Sequence, residues 1–411
     1  MNTGLNKKTA LLLATGLLAI SAAPAMAQDT TGDTRAEAEM LKAQIQALQA
    51  QVDSLKNKVD TVDARQTSAA ATPASSSSDP KTKIGGTMFF DVTNINQKND
   101  GTKSSANGFQ LDVKRFYLTV DHKFDDVFSA NLTTDFNYVS NDSETQVYLK
   151  KAYLQAKLDD AFVIRAGSAD LPWVPFVESL YGYRYVENIM IDRTKYGTSA
   201  DWGLHVFGKL GGGMFGYAFS AVNGSGYKKL SRSKSVDFEG RINFNPIKQI
   251  TLAVGGYTGK LGKNIEGVGT EHRARRLDAV AAYTDDRIRF GVEYFNAKNW
   301  NNVTTTAEDK SEGWSGFASY QFTDKVGVFG RYDWVKPNKY TNDSLKDDYF
   351  NVGVSFKPVK GVDMALVYKR DKAQDDSLGL PVATISTSNG TIGGVHSGTY
   401  DEVGLWAQVK F

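Results

Sequence analysis

The sequence predicts an all-β protein, a transmembrane up-and-down antiparallel β-barrel of about sixteen strands preceded by a short coiled-coil helix. Three observations carry that reading. An apolar leader opens the chain. From Lys81 onward the side chains alternate with period two, between connections that are short and long in turn. The last strand ends on a carboxy-terminal phenylalanine.

The leader has Lys7 and Lys8, an apolar run from Ala10 to Ala23, and Ala25-Met26-Ala27, the three regions of a secretory signal peptide cleaved after Ala27. The run is shorter than the roughly 20 residues that span a bilayer as a helix. Residues 1–27 are therefore set apart from the fold. They hold two lysines and no acids, so the formal charge of +2 falls to zero without them. A neutral chain lacks the clustered basic excess that a nucleic-acid partner requires. With no cysteine, disulfides, thiolate metal sites and a cysteine nucleophile are excluded. Mean hydropathy is −0.37. No later apolar run reaches membrane-helix length, which excludes a helical membrane protein but not a barrel, whose strands are only weakly hydrophobic.

Residues 28–65 predict the helix. Ile45, Val52 and Val59 at a positions and Leu41, Leu48, Leu55 and Val62 at d positions form a heptad seam, which supports self-association. Residues 66–80, QTSAAATPASSSSDP, are small and proline-rich and form a flexible linker. The barrel domain is 81–411.

Within it, short turns fall at His122 to Asp126, Asp159-Asp160, Gly211 to Gly213, Asn245 to Lys248, Asp285-Asp286, Thr323-Asp324 and Lys357 to Gly361. Longer polar connections lie between them. Asymmetry of this kind is expected of an outer-membrane barrel with short periplasmic turns and long outer loops. Asp170 to Ala200 is the longest interruption that is also rich in aromatics. A structureless loop of that length is uncommon in a compact domain, and we expect it to fold into the lumen and narrow it.

Alternation assigns the faces. Val236, Phe238, Ile242 and Phe244 face lipid, while Asp237, Glu239, Arg241 and Asn243 face the lumen. A charge at the bilayer midplane costs roughly 2–4 kcal/mol, so the charged rows belong inside. On this basis the lumen cations are Arg115, Lys151, Lys157, Arg165, Arg241, Arg289, Arg331 and Lys369, and the inserted loop adds Arg184, Arg193 and Lys195. The same faces carry Asp237, Glu239, Glu293, Asp333 and Asp363, so the sequence predicts a lumen of mixed sign. Trp173, Tyr181, Tyr183 and Tyr185 are the loop aromatics, able either to stack on sugar rings or to pack the loop against the wall.

The four histidines, His122, His205, His272 and His396, have no serine placed beside them by a nucleophile motif, and no cluster has metal-ligand spacing. Neither an enzyme, a cofactor nor a metal is expected.

Val403, Leu405, Ala407, Val409 and Phe411 alternate to the end of the chain and look like the assembly signal of bacterial outer-membrane barrels. Together with LDVKRFYLTVDHKFDDVFSANLTTDF and VYLKKAYLQAKLDDAFVIRAGSADLPWVPFVESLYGYRYVE, they make 81–411 resemble the phosphate-selective porin O/P family. The resemblance implies a 16-stranded homotrimeric porin in the outer membrane of a Gram-negative bacterium. It would be placed in the lipid by the barrel assembly machinery, with its coiled coil in the periplasm. It also implies passive diffusion of small hydrophilic solutes, with a preference for anions such as phosphate. Two alternatives stay open: a general or carbohydrate-type porin, and a barrel that anchors an envelope tether.

Overall fold

The computed structural model describes residues 81–139, 144–230, 232–375 and 383–411, together with Gln46, Ala50 and Asp53. Two compact units divide after Ser78. In the first, the three described residues are helical and exposed, and each occupies an outward heptad position. The leader, the linker and the seven seam residues lie outside the described residues.

In the second unit, sixteen long antiparallel strands follow in chain order: β1 (Thr82–Asn99), β2 (Gly108–Lys123), β3 (Phe128–Val139), β4 (Glu144–Lys157), β5 (Val163–Asp170), β6 (Ala200–Leu210), β7 (Phe215–Val222), β8 (Asp237–Phe244), β9 (Ile250–Gly259), β10 (Ala274–Thr284), β11 (Ile288–Lys298), β12 (Lys310–Gln321), β13 (Val326–Lys336), β14 (Leu345–Val359), β15 (Val362–Asp375) and β16 (Ser397–Lys410). Each pairs with its neighbours, and β1 also pairs with β16, which closes the sheet into a barrel without an edge. The closure extends to the terminus, where the Phe411 N–H donates to the Gly86 carbonyl at 3.1 Å and the Gly86 N–H donates back at 2.9 Å.

The pleat sorts the side chains as alternation requires. Phe238, Leu252, Val254, Leu277, Phe290, Val292, Val352, Leu366 and Val403 are exposed on the outer wall, while Glu239, Asp278, Glu293, Arg331, Asp333 and Lys369 are buried inside it. The inner wall is less uniform than strict charge alternation implies. On β9 to β16 it also carries Tyr257, Val280, Phe295, Phe317, Phe329, Val367 and Trp406, which form one core with the inserted loop.

Three irregularities break the alternation, one of them beside the β14–β15 turn, between Phe356 and Val359. Phe89 pairs with Arg115 and Phe90 with Val113, leaving Lys114 as the extra residue of a β-bulge. Thr133 pairs with Lys151 and Thr134 with Leu149, leaving Lys150 as the extra residue of a second. An unbroken pleat would turn one lysine of each basic doublet towards lipid. The bulges let both members face inward.

The connection between β5 and β6 folds into two helices, α1 (Val174–Tyr181) and α2 (Met190–Arg193). Pro175 suits the first turn of α1, where its missing N–H is not needed. Gly182, at φ 81°, ends that helix in the left-handed conformation a glycine adopts without strain. Arg289 donates to the Ser179 carbonyl at 3.0 Å, placing a cation at the helix C-terminus. The connection between β15 and β16 carries a hairpin, Ala383–Thr387 with Gly390–Gly394, whose Ile385 and Ile392 pack with Leu345, Ala373 and Tyr400.

Candidate functional site

The inserted loop is fastened to the inner wall of β8 to β15 along its length. At its start, the Trp173 backbone N–H donates to Glu239 and its indole Nε1 to Glu293, both at 2.9 Å. The indole lies against Gly255 of β9, where an added Cβ would stand 2.5 Å from the ring. In the middle, Tyr183 stacks on Phe329 with centroids 3.9 Å apart, and the Tyr181 hydroxyl meets the Asn351 amide. At its end, the Arg193 guanidinium reaches Asp333 at 3.0 Å, Asp347 at 2.7 Å and Asp371 at 2.6 Å, with all four side chains fully buried. Lys369 donates to the Val186 carbonyl and forms ion pairs with Glu187 and Glu402. Arg276 holds Glu239 and Asp278 and donates to the Tyr196 carbonyl. Charges so deeply desolvated are stable only when paired, and removing one partner of such a set costs about 3–5 kcal/mol.

Many wall acids are thereby covered and engaged. The opposite side of the loop faces β1 to β3 across a cavity of about 220 Å³, lined by Lys114, Arg115 and Arg184, by Asp112 and Glu187, and by Asn188, Ser388 and Asn389. Arg115 donates to Asp135 and to the Tyr148 hydroxyl, each at 3.0 Å. Arg184 lies 2.5 Å from Glu178. Lys150 sits nearby, donating to the Tyr117 hydroxyl at 3.2 Å with its Nζ 4.3 Å from that ring's centroid. Burial opposes ionisation of Glu187, but Lys369 and Lys114 outweigh it and hold the carboxyl well below its usual range. Burial instead pushes Asp192 up to about 6, against the pull of Arg184.

The remaining predicted cations are dispersed. Lys151 pairs with Asp170 at 2.6 Å. Arg331 is buried and grips Asp333 through two nitrogens. Lys195 is exposed and donates to Ser386 at 2.6 Å, beside a cavity of about 530 Å³ at the long-loop end that Lys229 and Lys263 also line. Lys157, Arg165 and Arg241 line a third cavity, of about 810 Å³, at the short-turn end. The aromatic side chains Trp173, Tyr181, Tyr183 and Tyr185 are all buried in the shared core, and Phe411 is exposed at the closure.

Sequence reasoning did not assign Arg276, Asp278, Asp347, Asp371 and Glu402 to the lumen, and it missed three further contributors. Lys114 and Lys150 were out of phase with the alternation, and only their position within basic doublets marks them. The hairpin before β16 was read as an outer loop, yet its tip meets the inserted loop: Ser388 and Asn389 donate to Glu187 at 2.9 and 3.0 Å. The third is a contact that strand pairing creates. His205 Nδ1 lies 2.8 Å from Ser220 Oγ, because these residues are cross-strand partners. The other ring nitrogen is 3.3 Å from the Gly167 carbonyl, so both polar ends of the ring are engaged in the wall. Among the described residues no group of metal-ligating side chains could hold an ion.

The family model described as phosphate-selective porin O and P matches residues 82–245, which run from β1 to just past β8. No curated protein matches the sequence. Solved barrels match in shape. An anion-selective porin from Comamonas acidovorans aligns with a TM-score of 0.58 at 13% identity, covering 80% of this chain and 99% of that one. Outer-membrane expressed OmpT of Vibrio cholerae gives 0.55 at 11% identity, over 82% and 99%. The outer membrane channel DcaP of Acinetobacter baumannii gives 0.53 at 13%, over 80% and 97%. At such identities the likeness speaks for the fold. Residues 82–245 thus carry the pattern of the phosphate-selective porin O and P family, and the closed sixteen-strand barrel whose first half they form has the fold of the solved porins.

Proposed function

We propose that this porin passes small hydrophilic anions, phosphate among them, through the gap between the inserted loop and β1 to β3, with the loop as its constriction. The observation that carries the reading is the segregation of charge. Many acids of the far wall lie under the loop with Arg193, Arg276, Arg331 and Lys369, while Lys114, Arg115 and Arg184 line the gap. The gap then sets three cations against two acids, Asp112 and Glu187, a cationic excess of one, and charges lining a constriction set ion selectivity. A homotrimer is the proposed assembly, in keeping with a structural neighbour described as a trimer form of OmpT.

The test is the reversal potential of the purified protein in planar bilayers under a KCl gradient. A potential on the anion-selective side is expected, together with a current reduced by phosphate but not by neutral oligosaccharide. A potential at zero or on the cation side would refute the anion reading.

A further inference from the structure

We propose that the cavity at the short-turn end of the loop is a second, separate site, which binds an organic anion made of a carboxylate on an apolar body. The inference does not rest on the selectivity of the gap. Its centre is Arg241 of β8, whose guanidinium lies 3.6 Å from the centroid of Phe176 on α1. Its Nε and Nη1 are buried without a hydrogen-bonding partner, which leaves Nη2 as the nitrogen open to the cavity until the ring of Phe176 gives way, and no ion pair with it is found among the described residues. Across the cavity, Arg165 is held between the rings of Tyr153 and Phe207, 4.5 Å from each centroid. The Nε of Arg165 donates to Gln155 at 2.9 Å.

The acids that could neutralise these arginines are already engaged, Asp160 by Lys157 at 2.7 Å and Asp170 by Lys151 at 2.6 Å. A guanidinium is weakly hydrated and flat, and offers a fork of donors that matches a carboxylate in two parallel hydrogen bonds. Each arginine here is paired with an aromatic face rather than an acid, and Pro175, Leu171 and Val163 extend the apolar lining. An inorganic anion would satisfy the donors and leave that lining wet. An apolar carboxylate covers both, which is the composition expected of a small-molecule site.

The experiment measures current block in planar bilayers by benzoate, with benzyl alcohol as the same body without charge and inorganic phosphate as charge without the body. Benzoate is expected to block at concentrations where the other two do not. Arg241→Gln should raise its half-blocking concentration about tenfold, by removal of a charged hydrogen-bonding partner. Arg241→Lys, which keeps the charge and loses the fork, should fall between. Resistance to unfolding in warm SDS reports whether each variant is folded. Arg184→Gln, in the gap, should change the KCl reversal potential and leave benzoate block in place. Absence of benzoate block, equal block by phosphate, or unchanged block in folded Arg241→Gln would each overturn the proposal, and none depends on the sign of the reversal potential.

Discussion

Arg193 and Asp371 lie 178 residues apart in the chain and meet at 2.6 Å inside the barrel. With Asp333 and Asp347 they form the tightest attachment of the inserted loop, and the arginine is also 4.3 Å from the Tyr349 ring centroid. Replacing Arg193 with glutamine strands Asp347 and Asp371 in a dry site, while Asp333 keeps Arg331. We expect a loss of about 3–5 kcal/mol of stability, seen as a lower unfolding temperature in SDS. Protease cleavage within 182–199 should appear, and open-channel noise should rise as the loop end loosens.

The two bulge lysines offer a cleaner test of selectivity, because neither holds the loop. Lys114→Gln combined with Lys150→Gln should lower the anion-to-cation permeability ratio by about three- to fivefold, the effect of roughly 1 kcal/mol of lost potential at a partly hydrated site. Bilayer reversal potentials check this. Stability should change little at Lys114, whose side chain is 29% exposed and forms a weak 3.7 Å pair with Asp91, and fall by about 1 kcal/mol at the buried Lys150, which loses its hydrogen bond to Tyr117.

Within the loop, the three cations should separate by environment. Arg184 lines the gap, Arg193 is sealed, and Lys195 is exposed at the long-loop end. Arg184→Gln should reduce anion preference, whereas Lys195→Gln should leave it within error. A Lys195 effect as large as that of Arg184 would move the selecting region outward.

Asp192 predicts a pH dependence. Burial raises its carboxyl to about 6, so it carries charge at pH 7.5 and is neutral at pH 5. Lowering the pH through 6 removes a negative charge beside Arg184, and the anion-to-cation ratio should rise. Asp192→Asn should hold the high ratio at both pH values. The same sign applies to folding: the ionised form is the disfavoured one in the native protein, so this group's contribution to stability falls as pH rises through 6.

The sixteen strands, their turns and their faces were legible because a half-buried strand imposes a period of two, and because lipid makes register errors costly, as the rows Phe238, Ile242 and Glu239, Arg241 illustrate. The inserted loop was legible from its length and aromatics. What could not be read was pairing across the barrel. Nothing local to Arg193 points to Asp333, Asp347 and Asp371, which lie on three different strands, so the mixed sign of the lumen was legible but not which charges pair with which. Lys114 and Lys150 were hidden for another reason. A bulge is defined by the partner strand, and Phe89 and Thr133 set the phase of residues far from them in sequence. The hairpin tip at Ser388 and Asn389 was missed because polar, glycine-rich composition reads equally as an outer loop or a folded one.

The fastening of the loop also orders the assembly of the molecule. Trp173, Tyr181 and Arg193 emerge from the ribosome well before the strands that hold them, and their partners on β11 to β15 lie 120 to 178 residues downstream. Contacts of such long separation form late. Until β15 is in place the end of the loop lacks the wall that holds Arg193, and once β16 pairs with β1 the barrel surrounds it. Capture of the segment before closure pairs these acids as the wall forms, whereas a chain that sealed first would hold them unpaired until the loop entered through the mouth of the barrel.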